Sequence, residues 1–291
     1  MTVLGVVLMV VAASLNASAS VLQRRAAKDE PESAGFSLSM FVDLVRRPVW
    51  GLGILTMLSG FVLHGVAISL SRISLVQPLL VFELPCTLLM ASWYFRVRIP
   101  RHDWVAIGMQ TVGLAAFVGC LHPVGGEAGR LPATTWAWAV GVSAAGILAL
   151  VLLGYLGRRE HRAAMLGIAT GATFGLNSSL IAGVGASVAQ GGGLFATWQT
   201  YGVAVVGPIS FYLLQNSLQA GNLVASQPGF TLLNPIVSVL WGLLVFGEQP
   251  QGGVFLVGSA VGALLVVAGT VALSRSSLLD PESSRGQPVE G

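Results

Sequence analysis

The residues best suited to chemistry lie where water is scarce. Glu83 falls within SLVQPLLVFELPCTLLMASWYF, residues 74–95, between Pro78 and Pro85, and is the only one of twelve carboxylates read inside an apolar core. His64 is the only one of four histidines so placed. A lone intramembrane glutamate is costly and normally faces the interior with a partner. A desolvated carboxyl favours its protonated form and can take up and release a proton. Kept charged, it would instead bind a cation or metal. The bland reading is a protonated Glu83 bonded to a backbone carbonyl that a proline has freed. His64 lies about nine residues before the turn at Arg72 and Ile73, and Glu83 about ten after it. At 1.5 Å per residue both sit roughly 13–15 Å from the helix ends, at a shared depth. Helix rotation decides whether they face each other.

Polar amides occur in the same apolar runs: Asn16, Gln77, Gln110, Asn177 beside Ser178 and Ser179, Gln215, Asn216, Gln227 and Asn234. Asn16, Gln77, Asn177, Asn216, Gln227 and Asn234 are the candidates for lining a substrate cavity. As simple interhelical glue, each would contribute about 1 kcal/mol or less. Prolines 78, 85, 228 and 235 are candidate helix bends, because proline removes a backbone donor and the carbonyl it frees must face protein or a wet cavity.

The elements that position these groups follow from composition. The 291 residues are 54% hydrophobic and only 9% charged, with 37 glycines; a soluble domain carries about 25% charged residues. Nine runs approach the ~20 apolar residues a spanning helix needs. They are roughly 2–23, 49–71, 74–95, 104–121, 133–156, 165–189, 199–218, 223–246 and 253–273. Lipid offers the backbone no partners, so these runs are helices and the fold class is all-α, polytopic membrane protein. The first run has an ASA resembling a signal-cleavage site, but it lacks a basic N-terminal flank and QRR follows it; a retained anchor is the expectation. With the N-terminus outside and the C-terminus cytoplasmic, thirteen of fifteen Lys and Arg residues fall inside and only Arg72 and Arg130 outside, as the positive-inside rule requires. Residues 36–48 read as an interfacial helix and 274–291 as a disordered cytoplasmic tail. Cys86 and Cys120 fall at different depths and read as two buried thiols. Trp93, Trp104, Trp136 and Trp138 lie near span ends, where an aromatic belt accounts for them.

The second half echoes the first. QPLLVFELP at 77–85 matches QPGFTLLNP at 227–235, and at the same offset Gly108 pairs with Gly258 and Gly119 with Gly269. Ser69-Leu70 echoes Ser217-Leu218 with a two-residue gap. Five helices separate each pair, so the halves, 1–121 and 133–273, run in opposite directions, an arrangement typical of secondary transporters. Gly167, Gly171 and Gly175 share one helix face, as do Gly258 and Gly262. Such faces allow close packing within the chain, or a sliding or homodimer contact.

Inverted halves, a short hairpin running into a Pro-bearing helix, and LVASQPGFTLLNPIVSVLWGLLVFGEQPQGGVFLVGSAVGALLVVAG resemble the drug/metabolite transporter superfamily, EamA-like. FGE at 246–248 matches that family's Gly-Glu after the penultimate helix, whereas YFRVRIPRHD in the first half has no such Glu. Nine helices and RRPVWGLG opening the second are more similar to the NIPA-like branch, associated with magnesium. The resemblance implies a carrier of a small metabolite, drug-like cation or amino acid in the plasma membrane, or of magnesium with Glu83 as its ligand; fold alone does not choose the substrate. No nucleotide, zinc-protease, serine-hydrolase or paired-Cys metal motif is present, so no cofactor is expected. The partners expected are the bilayer and a small-molecule or cation substrate, with no nucleic acid. A membrane enzyme or a non-transporting subunit is the alternative of a different class.

Overall fold

The computed structural model describes residues 2–28, 48–95, 98–157, 159–219 and 223–276. The interfacial helix expected at 36–48 and the tail beyond residue 276 lie, but for Pro48, outside the described residues. Among the described residues ten α-helices follow one another: α1 (Thr2–Lys28), α2 (Pro48–Leu70), α3 (Ile73–Val76), α4 (Glu83–Phe95), α5 (Arg101–Leu121), α6 (Ala133–Leu156), α7 (Arg159–Ala189), α8 (Trp198–Gln219), α9 (Leu223–Leu240) and α10 (Val254–Leu273). These residues form no strand, only an isolated antiparallel bridge between Val124 and Gln249. Seven described segments are long and apolar enough to cross a bilayer, with α3 and α4 counted as one continuous stretch, Ile73–Tyr94. The chain is an all-helical, multi-pass membrane protein. Val142, Leu148, Leu256 and Leu264 point outward, as an apolar surrounding solvent demands.

α7 forms the axis of the bundle: 72% of its apolar stretch is buried, against 6% for α6. Its glycines explain how it is enclosed. A Cβ on Gly171 would fall 2.7 Å from the Leu233 Cβ, and one on Gly175 would fall 2.9 Å from the Asn234 carbonyl oxygen, so α9 rests directly on the α7 backbone. α10 meets α5 in the same way, with a Cβ on Gly113 falling 2.8 Å from the Gly262 carbonyl oxygen. Both glycine faces are therefore used inside the chain. Cys86 and Cys120 are free thiols.

Two segments depart from simple spanning helices. The run at 74–95 is broken: α3 has one turn, a 3-10 stretch occupies Gln77–Phe82, and α4 starts at Glu83. The run at 223–246 stays α-helical through Pro235 to Leu240 and ends in a π turn, Trp241–Val245, closed by Phe246 N–H donating to the Trp241 carbonyl at 2.9 Å. The matched prolines thus interrupt one helix and leave the other continuous. Trp136 corrects the belt assignment. Trp93, Trp104 and Trp138 are exposed, but Trp136 is buried, with ring centroids 5.4 Å from Trp198, 5.5 Å from Trp241 and 5.7 Å from Phe246.

Gly171→Val tests the close helix crossing. Overpacking at a backbone contact costs about 1–3 kcal/mol. The melting temperature of the purified variant should fall, whereas Gly141→Ala, where an added Cβ meets nothing within 4 Å and Ala is the better helix former, should not lower it.

Candidate functional site

Pro85 cannot donate to the carbonyl four residues back, that of Val81. In a bilayer this acceptor needs another donor, and Gln110 of α5 provides it: its Nε2 donates to Val81 O at 2.6 Å. The break is thus satisfied by a side chain from a different helix. It also turns Gln77, at the first position of the 3-10 stretch, fully into the bundle.

Gln77 is a junction of three helices. Its Nε2 donates to Ser178 Oγ of α7 at 2.6 Å and to Asn234 Oδ1 of α9 at 3.0 Å. Its Oε1 lies 3.0 Å from His64 Nε2 of α2. Because the Gln77 amide hydrogens are committed, its oxygen must accept, and the His64 Nε2 carries the proton. The other three members, Gln77, Ser178 and Asn234, are uncharged side chains. The group's hydrogen bonds, each worth about 1 kcal/mol net, can exchange for bonds to a solute.

Glu83 belongs to a separate pair. Asn16 of α1 is the polar side chain beside it, and Cys86 lies near it. His64 binds Gln77, whereas Glu83 stands beside Asn16. Asn177 is buried, and its Oδ1 has no hydrogen-bond partner among the described residues. Asn216 lies apart, accepting from Tyr155 at 3.3 Å and donating to the Tyr212 carbonyl at 2.8 Å; Gln215 is exposed. The side chains of Gln227 and Pro228 fall outside the described residues. Pro78 is the second residue of the 3-10 stretch, Pro85 the third of α4, and Pro235 follows Asn234. Among the described residues no three His, Cys, Asp or Glu side chains stand close enough together to hold a metal.

A second carboxylate, in the segment after α9, binds the start of α3. Glu248 is 4% exposed. Its Oε1 accepts from Ile73 N–H at 3.1 Å, and its Oε2 accepts from Ser74 N–H at 3.3 Å and from the Ser74 hydroxyl. These are the open donors at the start of α3, which a carboxylate satisfies well. Burial pushes the Glu248 carboxyl up from the ordinary range, opposed by the Ser74 and Ile73 hydrogen bonds and by the Arg72 charge. Space for it comes from glycine: a Cβ on Gly242 would fall 2.7 Å from Oε2, and one on Gly126 would fall 2.7 Å from the Glu248 Cγ. Arg72 Nε donates to the Gly125 carbonyl at 2.9 Å, and the Val124–Gln249 bridge lies beside it. These contacts join the start of α3, the segment after α5 and the segment after α9. Asp103, also buried, accepts at Oδ2 from Ser276 at 2.5 Å, and its Oδ1 lies 3.1 Å from His102 Nε2. Glu83 is thus not the most buried carboxylate. FGE was the signal for Glu248; its place in a connecting segment concealed its burial.

The chain is 29% identical over 271 residues to an uncharacterized protein of Corynebacterium glutamicum, covering 91% of this chain and 93% of that one. It is 25% identical over 252 residues to "Probable magnesium transporter NIPA9" of Arabidopsis thaliana, covering 79% of this chain and 70% of that one. No protein-family model matches the chain, and no solved structure matches it.

Glu248→Gln retains the size of the side chain but places an amide N–H against backbone N–H groups. It should destabilise by about 1–3 kcal/mol, and Ser74→Ala, which loses one hydrogen bond, by about 1 kcal/mol. Equal melting temperatures for both variants and the wild type in detergent would refute the clamp.

Proposed function

We propose that this protein is a secondary transporter of the plasma membrane, moving a small metabolite, drug-like cation or amino acid by alternating access. The observation that carries this reading is the polar junction of Gln77 with His64, Ser178 and Asn234 at a broken spanning segment. Broken helices with exchangeable polar groups near mid-membrane are how carriers build sites. In this reading α8 and α9 with its π turn add two spans to the seven apolar ones, giving nine. The halves 1–121 and 133–273 are inverted repeats, with the N-terminus outside and the C-terminus cytoplasmic. The Glu248 clamp then closes the outer face. The pairing of α5 with α10, helices matched by the repeat, supports this layout.

Glu83 couples the cycle to protons. The Asn16 amide beside it can serve the carboxyl as donor when charged and as acceptor when neutral, so proton uptake and release need not unfold the pair. A second reading, transport of magnesium or another divalent cation, is favoured by the similarity to NIPA9. Magnesium keeps several of its waters and needs few protein carboxylates, so a single Glu83 is compatible with it.

Purified protein in liposomes loaded with a pH-sensitive dye separates the two. Under the first reading, an organic cation or amino acid evokes proton movement that Glu83→Gln abolishes while its folding and yield persist. Under the second, magnesium enters with no proton movement. Wild-type proton-coupled flux in Glu83→Gln would remove Glu83 from the coupling role.

A further inference from the structure

Leu15-Asn16-Ala17-Ser18 in α1 and Leu176-Asn177-Ser178-Ser179 in α7 repeat one pattern, Leu-Asn-small-Ser. The two asparagines also occupy matching places. Asn16 lies against Gly60 of α2, where a Cβ would collide with its Oδ1. Asn177 lies against Gly207 of α8, where a Cβ would stand 3.9 Å from its Oδ1 and meet nothing else within 4 Å. In each half an asparagine of one long helix faces a glycine of the next.

The third member differs. In the first half it is Glu83, the partner of Asn16. In the register that pairs Gln77 with Gln227 and Pro85 with Pro235, the position of Glu83 corresponds to Leu233. Leu233 packs on α7 at Gly171 and can offer no hydrogen bond. Asn177 is therefore an orphan with a structural cause. It is only 6% exposed, and its acceptor oxygen is unfilled among the described residues. An unfilled buried acceptor costs stability, and such costs persist at sites that a ligand completes.

We propose that Asn177 Oδ1 is a substrate contact that receives an N–H of the cargo, and that the cargo is a small organic amine in its ammonium form. This rests on the transport reading above. One amide acceptor facing a glycine can take one N–H of an ammonium group on a small apolar body. The arginines of the described residues lie at helix ends and in connecting segments, so no fixed positive charge opposes a cation here. A magnesium ion stripped of its waters would need several oxygen ligands in octahedral array, which this place lacks.

The test is the melting temperature of the full chain in detergent, with methylammonium or magnesium chloride as probes against a sodium chloride control. Without a probe, Asn177→Leu should melt a few degrees higher than wild type, because an unpaired polar group is removed, whereas Asn16→Leu should melt lower, because Glu83 loses its partner. Methylammonium should raise the wild-type melting temperature but not that of Asn177→Leu. Gly207→Ser keeps Asn177 and sets a hydroxyl beside its Oδ1; it too should lose the methylammonium shift, while Gly207→Ala retains it. A lower melting temperature for Asn177→Leu, a methylammonium shift surviving in Gly207→Ser, or no wild-type shift with methylammonium would each overturn the proposal. A shift with magnesium alone would overturn the amine in favour of a divalent cargo. These readings are made without a membrane gradient, so a failure of the transport reading would appear separately, as absence of flux in liposomes with the melting shifts intact.

Discussion

A proline inside a spanning segment leaves a carbonyl that lipid cannot satisfy, and much of this structure depends on where that carbonyl finds its donor. Pro85 frees the Val81 carbonyl, and Gln110 reaches across from α5 to bind it. The segment can then remain 3-10 from Gln77 to Phe82 without an unpaired acceptor facing hydrocarbon. A regular α-helix would turn residue 77 by a different angle relative to Glu83. The tighter 3-10 winding fixes both directions, placing Gln77 against α2, α7 and α9, and Glu83 against α1.

The two ends of the broken segment are held by different kinds of bond. At its start, the Glu248 carboxylate collects the open N–H groups of Ile73 and Ser74, and such charge-assisted bonds are about twice as strong as neutral ones. Further in, Gln77 is held by the side chains of His64, Ser178 and Asn234. Glycine makes both possible, since Gly126 and Gly242 admit Glu248 while Gly171 and Gly175 admit α9 to the α7 backbone. A strong hold at one end and weaker hydrogen bonds in the middle are what the hinged segment of the proposed carrier would need.

The sequence made the bundle legible because lipid leaves apolar runs one structural option. The helix-rich architecture, the bend near Pro78 and Pro85, and the polar character of residues 77, 177 and 234 follow from residue type and spacing. Contacts set by rotation about the helix axis did not follow. Equal depth of His64 and Glu83 was readable, but their separate partners depend on the 3-10 turn, which hydropathy does not encode. Glu248 was misjudged for a related reason. Depth along a span was equated with burial, yet a residue in a connecting segment can be enclosed by glycines from two other segments. Trp136 shows the same limit: its place near a helix end fits an interfacial belt, and only the convergence of Trp198, Trp241 and Phe246 reveals a buried ring.

The likeness of the two halves is informative where it fails. Leu-Asn-small-Ser is shared by α1 and α7, but Ala17 stands where α7 has Ser178, the hydroxyl that Gln77 uses. Glu83 has Leu233 as its counterpart, and a broken segment has an unbroken one. Each difference places hydrogen-bonding capacity on one side only: the carboxyl in the first half, the hydroxyl partner and the unfilled amide in the second. Two identical halves would present two equivalent sites with equal claims on a solute. In the transporter reading proposed above, dividing one set of polar groups between two repeats would make a single asymmetric site at their junction, whose occupant would touch both halves and so respond to how they are arranged.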